Sequence, residues 1–330
     1  MSNRVTRQLF LRAISITLAG AALSVPLSAK AADYPTRPVR IVVGFTPGGS
    51  GDAVARLIAQ SFSTIMGQSF IVENRAGANG NLATDMVRRA EPDGYTLFYT
   101  SIGHATNPSL YKDARYDPVK DFTPIGQVLS APNVLVVPAN SPFKTVQDLI
   151  NFAKENPGKL NFASSGVGAS VHLSGEMFKY YAKIDMMHIP YKGSGNLMPD
   201  LISGNVSLAF PNLPTAVPLV KRGQLRALGI TMNKRSAAAP DIPTIAESGL
   251  PAYDMSTWYG LIAPANLPAD IQKKLNEALL KTLNNPEIRS KLIAQGMDPK
   301  PSSPEEFAKF VGDETQRWAT LLKSMNISAN

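Results

Sequence analysis

The chain has 330 residues, with 33 Lys and Arg against 25 Asp and Glu, a formal charge of +8, and no cysteine. The missing cysteine excludes disulfides, thiolate metal sites and a lipid-attachment cysteine. The basic residues form no block and have no aromatic interleaving, which argues against nucleic-acid binding.

Arg4, Arg7 and Arg12 lead into an apolar run over 13–25, and Ala29-Lys30-Ala31 follows it. A basic start, a short apolar stretch and a small-residue site read as a secretory signal peptide over 1–31, cleaved after Ala31. The run is too short to span a bilayer, and no later segment is long and apolar enough. The expected product is a soluble periplasmic protein. Cleavage removes four basic residues and no acid, bringing +8 down to about +4. Such a mild positive field gathers small anions as readily as it keeps a chain in solution.

Residues 41–56, IVVGFTPGGSGDAVAR, read as a buried strand, a glycine-rich turn and the opening of an amphipathic helix. A helix that starts on a turn without bulky side chains offers unpaired N–H groups and a partial positive charge to an anion. Phe45, Thr46, Pro47, Gly48, Gly49 and Ser50 build that turn. No lysine follows the glycines and the spacing is not GxGxxG, so a nucleotide phosphate loop is excluded. A small anion such as a carboxylate fits. Asp52 is either a ligand contact or a first-turn acid that stabilises the helix dipole and pairs with Arg56.

Strand patterns follow at 70–73, 96–100, 134–137, 160–163, 186–189, 206–210, 225–230 and 258–263. Helical patterns fall at 82–89, 146–156, 170–182, 197–203, 216–222, 269–283, 286–295 and 304–324. This alternation predicts parallel sheets covered by helices on both faces. A length near 300 after cleavage predicts two lobes. Breaks near 130–133 and 232–243 place lobe I at 32–130 plus 232–330 and lobe II at 131–231, with part of 255–290 free to pack on lobe II. Ligands in such folds sit beyond the carboxyl ends of the strands.

Several residues fall at those ends. Asn79 precedes a helix, as a ligand contact or a cap. Ser101 and His104 follow the strand at 96–100. Ser164, Ser165, Gly166, Gly168, Ala169 and Ser170 repeat the strand–turn–helix layout of 41–56, and His172 lies two residues into the helix, as an anion donor or a packing residue. Either glycine turn alone can merely solve a backbone problem; two of them in a two-lobe chain point to a ligand held between helix ends. Tyr191 and Asn212 are further edge candidates. Trp258 reads as a pocket wall or as core. There is no GxSxG, no HExxH and no pair of histidines at metal-ligand spacing, so the chain reads as neither an enzyme nor a holder of a metal or cofactor; a serine hydrolase using Ser101, or Ser165 with His172, is the less favoured alternative, since such triads are spatial.

The ordered motifs YPTRPVRIVVGFTPGGSGDAVAR, VENRAGANGNLA, EPDGYTL, GASVHLSGE, IPYKG, LRALGIT, DIPTIAESGL and WYGLIAP resemble the tripartite tricarboxylate transporter receptors, also called Bug or TctC-like solute-binding proteins. The resemblance runs from about Tyr34 to the C-terminus. It implies an α/β Venus-flytrap fold of the type II-like periplasmic kind, two lobes joined by crossing strands, acting as a monomer. It implies a small carboxylate gripped by backbone amides of the turns at 46–51 and 164–170, and transient delivery to membrane permease subunits. A sensor protein reading the loaded receptor is the alternative partner. One departure stands out. Where the family commonly has Phe-Asp-Asn before Leu-Pro, this chain has Phe210-Pro211-Asn212. The lost acid removes either repulsion toward a second carboxylate or an acceptor for a ligand amine, and the expectation is that amino acids are not favoured.

Overall fold

Val39, Ile41, Val42 and Val43 are fully buried, and this β-branched run forms the first strand, β1 (Val39–Val43). The glycine-rich turn leads into α1 (Ser50–Met66), which stops where Gly67 takes a left-handed φ of 70°. In chain order there follow β2 (Phe70–Asn74), a 3-10 turn at Ala78–Gly80, α2 (Asn81–Arg88), β3 (Thr96–Ser101), α3 (Gly103–Leu110), β4 (Phe122–Pro132) and β5 (Val134–Pro138). Then come α4 (Val146–Glu155), β6 (Leu160–Ser164), α5 (Ser170–Ala182), β7 (Met186–Pro190), α6 (Ser194–Ser203), β8 (Leu208–Ala209), α7 (Leu213–Lys221) and β9 (Leu225–Ile230). The last elements are β10 (Ser256–Pro264), α8 (Ala269–Asn284), α9 (Pro286–Ala294), β11 (Asp298–Pro299) and α10 (Pro304–Ser324). This computed structural model describes residues 34–329; the expected signal peptide lies outside them.

The strands form two mixed sheets, one per lobe, ordered β11-β4-β10-β3-β1-β2 and β7-β6-β8-β5-β9. Parallel pairing, expected throughout, is confined to β2-β1-β3 and β7-β6-β8. In the first sheet β10 runs antiparallel to β3 and β4, and β11 to β4. In the second, β5 runs antiparallel to β8 and β9. The reason is topological: β4 leaves one sheet and continues through Asn133 directly as β5 of the other, with no helix between them, so β5 does not enter its sheet through a helical crossover.

Where the chain crosses, Asn133 is buried and bonded on every side. Its N–H donates to Thr231 Oγ1 at 2.8 Å and its carbonyl accepts from Thr231 N at 3.0 Å. Thr231 Oγ1 in turn donates to Met255 O at 2.7 Å. The stretch 232–255, placed with lobe I by sequence, bonds to lobe II instead: Ile245 N donates to Ile230 O and Tyr253 Oη to Ser174 O, both at 2.8 Å. Behind β10, the buried carboxylate of Glu314 on α10 accepts from Trp258 Nε1 and Trp318 Nε1, each at 3.1 Å. That bond fastens the C-terminal helix to the first sheet.

Candidate functional site

Apart from α8, which follows the antiparallel β10 and has Pro268 at its uncapped start, helix starts among the described residues fall into two kinds. The three that carry a side-chain cap, at Thr145, Asn285 and Ser303, open α4, α9 and α10. The helices that follow the carboxyl ends of parallel strands, α1, α2, α3, α5, α6 and α7, have no side-chain cap. The first N–H groups of a helix lack the usual partner one turn back, so such edges orient donors outward, although those of Ala105, Asn196 and Thr215 in α3, α6 and α7 are taken by the carbonyls of Ile102, Gly193 and Asn212.

The first turn is rigid from within. Gly48 sits at φ 88°, a conformation that glycine adopts without a Cβ penalty, and its N–H donates to Asp52 Oδ2 at 3.1 Å. Asp52 also accepts from Arg56 Nε at 3.0 Å and Asn74 Nδ2 at 2.8 Å. Burial alone would raise the Asp52 pKa, but the bonds from Arg56, Asn74 and Gly48 together hold it below the usual value. All of its oxygens are engaged, so Asp52 is a brace of the turn. Asn74 Nδ2 ties Phe45 O at 3.1 Å, and the Phe45 ring meets Tyr259 edge-on at 5.9 Å. Tyr259 stacks on Tyr99 at 5.4 Å and is hydrogen-bonded to Ser50.

The second turn is held by two histidines. Gly168 N–H donates to His172 Nδ1 at 3.2 Å, which makes that nitrogen an acceptor and leaves the ring proton on Nε2. His172 is buried; it serves the turn from behind and does not project as an anion donor. Ser164 Oγ lies 2.6 Å from His188 Nε2 and accepts from Gly166 N at 3.2 Å. Burial lowers the pKa of His172 to about 3, helped by His188 and Lys179, and that of His188 to about 4, helped by Lys179. Both are neutral at ordinary pH.

The two turns meet across the boundary between the lobes. A β-carbon on Gly193, after β7, would stand 2.8 Å from Thr46 Oγ1 of the other lobe. Gly193 N donates to Ser165 O at 3.2 Å, which links it to the second turn. Gly168 in that turn lies against Asn79, and a β-carbon on Gly44 would meet Gly80 Cα at 2.9 Å. Thr46, Gly193, Ser165, Gly168, Asn79 and Gly44 therefore close a circuit that crosses between the lobes twice. Tyr111 Oη donates to Val167 O at 2.9 Å, a third crossing. The lobes are shut on one another.

Asn79 has a left-handed φ of 52° and follows Ala78 at 46°. Buried Asn107 holds it there, accepting from Asn79 Nδ2 at 2.8 Å and donating to Asn79 O at 3.0 Å. Ser101 ends β3 opposite Tyr259. Tyr191 N donates to Ser164 O at 2.9 Å while its hydroxyl turns away to Asp200 Oδ2 at 2.6 Å. Asn212 Nδ2 donates to Asn133 Oδ1 at 2.6 Å, beside the crossing. Two candidates lie off the lobe boundary. His104 packs in an aromatic cage of Phe98, Tyr116 and Phe122, donates from Nε2 to Pro118 O at 2.9 Å, and has a pKa lowered by burial to about 4. Trp258 packs on Phe307 and Phe310 beneath α10.

Sequence reading did not single out Tyr111, Asn107 or His188. Each acts through a partner at least 24 residues away in the chain, and no local motif announces such a pairing. Cavities of about 620 and 680 Å³ lie elsewhere: one between α5 and α10 beside Asp254, the other along β1 and β2 beside Arg37 and Asp93. Among the described residues no cluster of His, Asp or Glu is arranged to hold a metal, and no helix is long and apolar enough to cross a membrane.

The family model of the tripartite tricarboxylate transporter family receptor matches residues 54–327. Three solved structures are similar along almost their whole length. A periplasmic transporter shares 39% identity, with a TM-score of 0.85, over 90% of this chain and 100% of that one. The R. palustris protein Rpa4515, solved with adipate, shares 38%, with a TM-score of 0.86, over 89% and 99%. MatC from Rhodopseudomonas palustris, with bound malate, shares 33%, with a TM-score of 0.82, over 88% and 100%.

Proposed function

The chain belongs to the tripartite tricarboxylate transporter receptor family, and we propose that it captures a small carboxylate in the periplasm and delivers it to membrane permease subunits. It is a solute-binding receptor rather than an enzyme. The observation that supports the carboxylate reading is the pair of uncapped helix starts, at Ser50 and Ser170, behind braced turns that meet across the lobe boundary. Backbone amides and helix dipoles recognise an acid group without a charged side chain. The relatives with adipate and malate support a dicarboxylate, one acid group per helix end.

In this mechanism the open lobes expose both turns, and a carboxylate bridging them favours closure by its differential affinity for the shut state. Phe45, half-buried on Tyr259, sets selectivity by covering the apolar part of the ligand. The secretory reading of residues 1–31 supports the periplasmic location. Pro211, buried next to the crossing, supplies no acceptor for a ligand amine, which supports deaminated ligands. A thermal-shift panel tests this: malate and adipate should raise the melting temperature, and aspartate and glutamate should not. Stabilisation by amino acids alone would overturn it.

A further inference from the structure

The peptide unit between Val167 and Gly168 is bonded on both faces, to different lobes. Its N–H donates inward to His172 Nδ1 at 3.2 Å, and its carbonyl accepts from Tyr111 Oη of lobe I at 2.9 Å. In a trans peptide these two groups point in opposite directions, so fixing one aims the other. We propose that His172 is a positioning residue for lobe closure: by accepting the Gly168 N–H it orients the Val167 carbonyl toward Tyr111 across the lobe boundary.

This inference rests on the receptor reading above and goes beyond it, since His172 acts without touching ligand. The surroundings fit the role. Gly166 and Gly168 have φ of 130° and 82°, so the intervening peptide can rotate where most side chains would forbid it. An acceptor behind the turn is what selects one orientation. The His172 ring is buried, with Glu176 Oε1 at 3.8 Å from Nε2 and the His188 ring at 4.2 Å. These neighbours leave the Nδ1 lone pair free for the amide.

The chain has no cysteine, so Gln60→Cys and Lys221→Cys, at exposed sites on α1 and α7, admit a specific spin-label pair. Distance distributions and calorimetry are measured with malate and with adipate as probes. His172→Leu and Tyr111→Phe should each lower probe affinity about three- to tenfold, the range for one lost hydrogen bond. Both should also lengthen the mean inter-label distance in the loaded state. The double variant should lose no more than either single one, because both act through one peptide. His172→Asn, whose Oδ1 replaces the Nδ1 acceptor, should restore affinity and distance. Full closure in His172→Leu, or losses that multiply in the double variant, would overturn the proposal. A wild type whose label distance responds to neither probe, and which binds neither, defeats the receptor reading first and this inference with it.

Discussion

Asn79 occupies the space a side chain at Gly168 would need: a β-carbon there would stand 2.7 Å from Asn79 Nδ2 and 2.9 Å from Leu110 Cδ1. The two residues belong to different lobes, so the fit exists only when the lobes meet. Gly168→Ala therefore carries two separable costs. The left-handed φ of 82° costs alanine roughly 1–2 kcal/mol in any state of the lobes, whereas the collision penalises closure alone. Affinity for malate or adipate should fall by more than the change in stability accounts for. Adding Asn79→Gly, which relieves both the collision and the positive φ at that position, should recover part of the affinity. Calorimetry beside thermal melts separates the two costs.

The brace of the first turn should respond to charge. Asp52→Asn keeps the shape but weakens the bonds to Gly48 N and Arg56, so stability should drop by about 1–2 kcal/mol. Ligand affinity should drop as well, through the loosened turn. The folded-state pKa of Asp52 lies below its usual value of 3.8. Its stabilisation is therefore present above that value and is lost as pH falls through the folded pKa. Urea melts should show wild type and variant converging only below about pH 3.8, and a gap that closes at neutral pH would contradict this assignment.

Much of this architecture was readable as local pattern. The β-branched run at Val39–Val43, the glycine turns and the helix over Ser170–Ala182 announce themselves through period and punctuation. Helix α3 does not, because Gly103 and Pro108 lie within it and its polar residues His104, Thr106 and Asn107 are buried, which erases the apolar period. Strand β4 escaped for a similar reason, with Pro124 and Gly126 inside eleven residues. Strand direction is absent from periodicity altogether, which is why the antiparallel β10 came as a correction. The site divides in the same way. Turns are local and legible, but the commitment of Gly168 N–H to His172, and of the Asn79 side chain to Asn107, depends on contacts that only the fold creates.

Acid should unfold the protein through its buried histidines. His104 and His172 have folded pKa values near 4 and near 3, below the unfolded value of about 6.5. Down to that value the two states bind equal protons at these sites and stability is level. Below it the unfolded chain takes up protons that the folded chain refuses, so stability falls with pH down to the folded values. The slope for each histidine approaches roughly 1.4 kcal/mol per pH unit. His104→Gln, whose Nε2 can still donate to Pro118 O, should flatten the urea-midpoint profile between pH 6 and 4.5. A profile equally steep in the variant would locate acid sensitivity elsewhere.

Asn133 joins the crossing to Ser174 and Asn212. Its Nδ2 donates to Ser174 Oγ at 2.9 Å, and its Oδ1 accepts from Asn212 Nδ2 at 2.6 Å. Asn133→Ala would leave Ser174 with one partner fewer and Asn212 without its acceptor, close to the hinge backbone. Unpaired groups of this kind cost about 1–3 kcal/mol each when buried, so the melting temperature should fall clearly. Asn212→Ala should cost less, since Asn212 is only half-buried and its loss orphans one acceptor while Asn133 Nδ2 keeps its bond to Ser174. The two together distinguish a brace from a ligand contact at Asn212. If Asn212 only supports the hinge, its loss in an Asn133→Ala background should change neither stability nor affinity further. A separate fall in affinity for malate or adipate in that background would mean that Asn212 reaches the ligand itself.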